Sequence, residues 1–164
     1  MSPIEIARAV RLRLAAELNG DRAALASLAA SIVELVRAAG GDVAGVPMRT
    51  LAVAFQLERF YTALEGLLSR VLRTLDGDVP VGPEWHNDLL RAASVAVEGL
   101  RPALIPSEAV PLMRELLGFR HYARHGYDTT PEPRRVDDVA SIAVQVHTLV
   151  EPALAALEER LRRP

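Results

Sequence analysis

Cysteine is absent from this sequence, and so is lysine. Without thiols there are no disulfides and no thiolate metal sites, which accords with a reducing cytosol and a cytoplasmic location. No cross-link is needed either. The chain has 164 residues, and a domain of that size buries about 68–70% of its unfolded surface. Because lysine is missing, all 19 basic side chains are arginine, permanently charged and with a planar fork of donors. Aromatic residues make up only 4% of the chain. The core must therefore be built from Ala, Leu and Val, a mixture that favours helices over sheets. Long apolar runs are lacking too: none approaches the roughly 20 residues of a membrane span. The N-terminal stretch MSPIEIARAVRLRLAAELNG carries a charge every few residues, where a signal peptide would be uninterrupted. A soluble protein is expected. Its net charge of −2 makes it a poor general binder of nucleic acid, so any such contact must run through a small basic spot.

What is present is helix punctuation. Pro3 to about Leu18 reads as a first helix stopped by Asn19 and Gly20. Asp21 is placed to cap a second, with Leu25, Leu28, Ile32, Leu35 and Ala39 on one face. Gly40 and Gly41 end that helix and open the linker GGDVAGVP. The best-marked helix carries Leu57, Tyr61, Leu64, Leu68, Val71 and Leu75, alternating steps of four and three, as a packing seam does; Phe55, Phe60 and Leu67 widen that face. The loop DGDVPVGP follows, then a short helix from Glu84 to about Val97. Ser107 is a candidate N-cap for a helix with Pro111 near its first turn, ending near His125 where Gly126 allows an exit. A last helix is expected from about Arg135, kinked at Pro152. The expected architecture is all-α: one domain over residues 1–164, a helical bundle with an N-terminal helical hairpin over about 1–47 and a core over 48–164.

The one dense polar cluster is FRHYARHGYD, Phe119 to Asp128. At about 100° per residue, Arg120, Arg124 and Tyr127 would share one helix face, and His121 and His125 another. A histidine at a helix C-terminus sits in negative potential, which favours its charged form and suits proton transfer near neutral pH. Arginine does not release its proton, so Arg120 is the candidate phosphate clamp. Together they suit RNA cleavage without a metal: a 2′-hydroxyl attacks the adjacent phosphate, a histidine moves the proton and an arginine fork holds the charge.

Arg120, four residues, His125, one residue, Tyr127 resembles the signature of HepT-like ribonucleases in the HEPN superfamily. FYTALEGLLSRV, PEWHNDLL and LLGFRHYARHGYD extend the resemblance over about Leu51 to Leu161. It implies a four-helix HEPN-like core and a metal-independent endoribonuclease without cofactor, with Arg120 and His125 catalytic and His121 and Arg124 supporting or touching RNA. It further implies a toxin of a type VII toxin–antitoxin pair. The partner would be a nucleotidyltransferase-type antitoxin that silences it by adenylylating Tyr127, and the active unit a homodimer. A two-fold axis near the motif would supply the second histidine that an acid and a base require, with Phe55, Phe60 and Leu67 as apolar interface or as core.

Plainer readings stand beside these. Arg120 and His125 can be dipole-complementing residues at a solvated helix end, Tyr127 a packing residue, and His86 a packed or capping histidine. His121 and His125 have the spacing of a metal pair, with Asp128 nearby, but His86 and His147 are distant and HExxH is absent. A non-catalytic helical module that binds a nucleotidyltransferase partner is the alternative to the enzyme.

Overall fold

The computed structural model describes residues 2–38, 47–125 and 131–163, the side chains of 121–125 excepted. Five helices follow one another: α1 (Pro3–Arg37), α2 (Met48–Leu75), α3 (Trp85–Ala93), α4 (Ala109–His125) and α5 (Pro133–Arg162). Among the described residues there is no strand, only an isolated bridge between Val97 and Arg101, closed by Gly99 at φ 74°. The all-α bundle is as expected from composition. Its core is one contiguous apolar cluster to which all five helices contribute.

The N-terminal hairpin is not there. α1 passes straight through Asn19, Gly20 and Asp21. A glycine inside a helix costs about 1 kcal/mol relative to alanine, and tertiary contacts offset it. Leu14 and Leu18 before the glycine, and Leu25, Ala29 and Ile32 after it, are buried in the same core. The polar residues that read as stop and start signals are committed elsewhere. Asn19 donates to Glu158 at 3.3 Å, Asp21 pairs with Arg70, and Arg22 pairs with both Glu151 and Glu158. Ser2 and Glu5 start α1 with a reciprocal capping box, which satisfies two orphan backbone donors. At the other end Arg49 donates to the carbonyls of Leu35 and Val36, the latter at 2.8 Å, and to Asp137 at 2.9 Å. Ala39, Gly40 and Gly41 lie outside the described residues.

α2 is the central helix. Leu57, Phe60, Tyr61, Leu64, Leu67, Leu68 and Val71 are buried, so the expected seam and its flank are core, with Leu75 half-buried at its end. Phe55 departs from that expectation: it is exposed, with Met48 and Leu51 on the same stripe, and the Arg59 guanidinium lies 5.9 Å from its ring centroid. α5 begins at Pro133, two positions before the expected start, with proline at its first turn, where the missing N–H is no loss. By length and composition α5 is apolar enough to cross a membrane. Here its apolar side, from Val136 through Val146 to Leu161, faces the core. Pro152 lies in its interior.

α3 stops at Ala93, short of the expected Val97. The backbone N–H groups of Leu104 and Ile105 fold back onto the Ala93 carbonyl, and Arg101 holds the turn. The residue is 2% exposed. It grips Asp76 through Nε and Nη2 at 2.7 and 2.6 Å, and donates to the carbonyls of Val95, Ala92 and Pro102 at 2.8, 3.1 and 3.3 Å. The Ser107 hydroxyl donates to the Glu108 carboxylate at 3.0 Å rather than capping. α4 begins at Ala109 with Pro111 in its first turn, as the sequence predicts, and is described as far as His125; the expected exit at Gly126 lies outside the described residues.

Candidate active site

α4 lies against α2, α3 and α5. Phe119 is buried and seats the helix, and the next residue, Arg120, is carried inward with it. Arg120 is 7% exposed. Its guanidinium lies 3.8 Å from Glu65 Oε2, 3.4 Å from His86 Nε2 and 5.5 Å from the centroid of the Tyr61 ring. Two helices thus converge on the cation that α4 carries. α2 supplies the carboxylate and the aromatic face, and α3 the imidazole.

The histidine bridges the two charges. His86 Nδ1 is hydrogen-bonded to Glu65 Oε1, and its ring stacks on Trp85 with centroids 3.8 Å apart. A guanidinium only donates, so the Nε2 facing Arg120 must be the accepting nitrogen. The proton then sits on Nδ1, which donates to Glu65. This order (carboxylate, Nδ1–H, Nε2 lone pair) is the arrangement by which a carboxylate fixes a histidine's tautomer and orientation. Tyr61 completes the wall. Burial pushes its phenol up from the usual value and the Glu65 charge adds to this, while the Arg120 charge opposes it. The ring therefore stays neutral.

The Nε of Arg120 is buried and has no hydrogen-bond partner among the described residues. A buried donor left unpaired costs about 1–3 kcal/mol, which calls for an explanation.

On the outer side, His86 lines a groove of about 430 Å³ with Asn87 on α3 and Arg114, Leu117 and Gly118 on α4. Gly118 sits in mid-helix, and a Cβ added there would meet nothing within 4 Å, so packing does not demand the glycine. Glu84, the one carboxylate on the groove among the described residues, accepts from Asn87 Nδ2 at 2.9 Å.

Of the residues expected from sequence, Arg120 is at the centre of this cluster. His121, Arg124 and His125 lie on the last turn of α4, with their side chains outside the described residues. Tyr127, and Asp128 of the weighed metal pair, also lie outside them. Two residues of the cluster were missed by sequence reasoning. Glu65 had a signal, since it is a carboxylate one turn after Tyr61 on an otherwise apolar seam. His86 had only its place beside a tryptophan.

A helical bundle that delivers a motif arginine into a carboxylate–imidazole pocket is the class this geometry defines. The chain belongs to the HepT-like protein family, within the HEPN superfamily; the family model matches residues 52–161. No curated protein and no solved structure matches it.

Proposed function

We propose that this chain is a metal-independent endoribonuclease that cleaves RNA by attack of a 2′-hydroxyl on the adjacent phosphate. One observation carries the reading. The motif arginine has a donor to spare among the described residues, and it lies in the last third of the helix that carries His125 five residues on. In this reading Arg120 stabilises charge on the phosphate oxygens and His125 transfers a proton. His121 and Arg124 support them or contact RNA. Tyr127 is the position a nucleotidyltransferase-type antitoxin would adenylylate, placing bulk and negative charge in the cleft. Family membership supports a cytoplasmic toxin paired with such an antitoxin. The exposed stripe of Met48, Leu51 and Phe55 is consistent with a homodimer whose apolar contact lies on α2.

The test is induced expression of wild type beside His125→Ala, followed by end-mapping of cellular RNA. The expected result is growth arrest and cut RNA with wild type only, with the rate lowered about 10²–10⁴-fold by the substitution. Equal cleavage by both would sink the assignment.

One observation favours a second reading, a binding module without activity. The Arg120 guanidinium is turned inward onto Glu65, as a purely structural arginine would be. Wild type that binds a nucleotidyltransferase partner yet cuts no RNA would establish that reading.

A further inference from the structure

We propose that His86, oriented by Glu65, is a catalytic base of the site, so that each chain carries its own acid–base pair. The inference rests on the ribonuclease reading and deepens it. Cleavage by 2′-hydroxyl attack needs one group to accept a proton and another to give one, and the motif offers His125 for only one of these. The geometry assigns the other to α3. His86 is held at Nδ1 by a buried carboxylate, and its side chain is 14% exposed. Its Nε2 lone pair lies 3.4 Å from the guanidinium that would seat the phosphate. When Arg120 turns its donors to a phosphate, the long contact at 3.4 Å is given up, and the lone pair is released toward a ribose hydroxyl beside that phosphate.

The same imidazole borders the groove between α3 and α4. Its volume, near 430 Å³, falls within the range of about 300–1,000 Å³ typical of small-molecule sites. Arg114 lines it without an ion pair among the described residues. Gly118, where no side chain is excluded by packing, leaves its floor low enough for a strand to approach. By helical spacing, positions 114, 118, 121 and 125 of α4 fall on one face, the face on which Arg114 and Gly118 line the groove.

The step balances. Nε2 of His86 takes the proton of the 2′-hydroxyl as the O2′–P bond forms. The P–O5′ bond breaks and the departing O5′ receives a proton from His125. A 2′,3′-cyclic phosphate and a 5′-hydroxyl result, and exchange with water returns both imidazoles to their starting states.

The test combines cleavage kinetics with imidazole nitrogen NMR on the full chain. His86→Gln is the decisive variant, because its amide can still bridge Glu65 and Arg120 but cannot carry a proton. His86→Ala is the companion. Both are expected to lose about 10²–10⁴-fold in kcat with KM little changed, and to lose the acidic limb of the pH–rate profile; free imidazole should partly rescue the alanine variant. If His86→Gln cleaves within a few-fold of wild type, the inference is overturned while the ribonuclease reading stands. In the NMR arm, wild type is expected to show the Nδ1–H tautomer of His86, weakened in Glu65→Gln, and its Nε2 should shift on addition of adenosine 3′-monophosphate. Should wild type cut no RNA, the ribonuclease reading falls. The inference then falls with it, whatever the NMR arm shows; the His86→Gln result with an active wild type is what separates the two.

Discussion

Arg101 and Arg120 are both buried arginines facing a carboxylate from α2 or its C-terminal cap, yet they are built differently. Arg101 is saturated. Every nitrogen of its guanidinium has a partner, with two on Asp76 and the rest on backbone carbonyls. Arg120 is not. Its closest carboxylate contact is 3.8 Å, its imidazole contact is long at 3.4 Å, and Nε is unpaired among the described residues. Both have left water, and only one has been compensated. A guanidinium that serves the fold alone is expected to look like the first, because unpaired buried donors are costly. The second keeps donors in reserve in a pocket that also holds an oriented imidazole, which is how binding sites differ from struts.

The contrast can be broken by substitution. Arg101→Met strands Asp76 and three carbonyls, so it should lower unfolding free energy by about 3–5 kcal/mol; a urea midpoint barely moved would remove Arg101 as the standard of comparison. Glu158 shows saturation from the acceptor side. Burial pushes its carboxyl up, but hydrogen bonds from Arg162, Arg22 and Asn19 outweigh this and hold it below its usual 4.5. A depressed folded value means stabilisation that is present above pH 4.5 and lost as pH falls through the folded value. Glu158→Gln should therefore cost roughly 1.5–3 kcal/mol at neutral pH and flatten the acid limb of thermal stability; parallel acid limbs would refute the assignment. Arg120→Met should cost less than about 1.5 kcal/mol, since Glu65 keeps the His86 donor and a buried donor without a hydrogen-bond partner disappears. A loss equal to that of Arg101→Met would erase the distinction. Gly118→Ala comes last, with an expected gain of about 0.5–1 kcal/mol. A loss instead would show that packing does require the glycine.

Where local rules decide the structure, the sequence could be read. The seam of α2 follows from steps of three and four, and the all-helical class from scarce aromatics and abundant Ala and Leu. Misreadings arose where a local signal was overridden by a distant partner. Asn19, Gly20 and Asp21 look like a helix stop followed by a cap, but Asn19 reaches Glu158, 139 positions away, and Asp21 reaches Arg70. Ser107 is a different case: it looks like a cap, and a competing local partner, the adjacent Glu108, takes its hydroxyl instead. The candidate site was half legible for the first of these reasons. Arg120 belongs to a motif with fixed spacing, whereas Glu65 and His86 come 21 positions apart on two other helices, and no spacing rule joins them to it.

α1 has a consequence of its own. Its 35 residues extend about 52 Å at 1.5 Å per residue, but residues 2–10 are exposed throughout and burial begins in earnest at Leu14. The exposed apolar residues of that arm, Ile4, Ile6, Val10 and Leu12, are scattered around the helix rather than aligned, so they make no single adhesive face. A helical segment of that length is marginal by itself, and its order comes from the capping box at one end and the anchored turns at the other. Amide exchange along this one helix should accordingly form a gradient. Opening should be frequent near Ile4 and progressively rarer toward Leu14, and beyond Leu18 it should require the whole bundle to come apart.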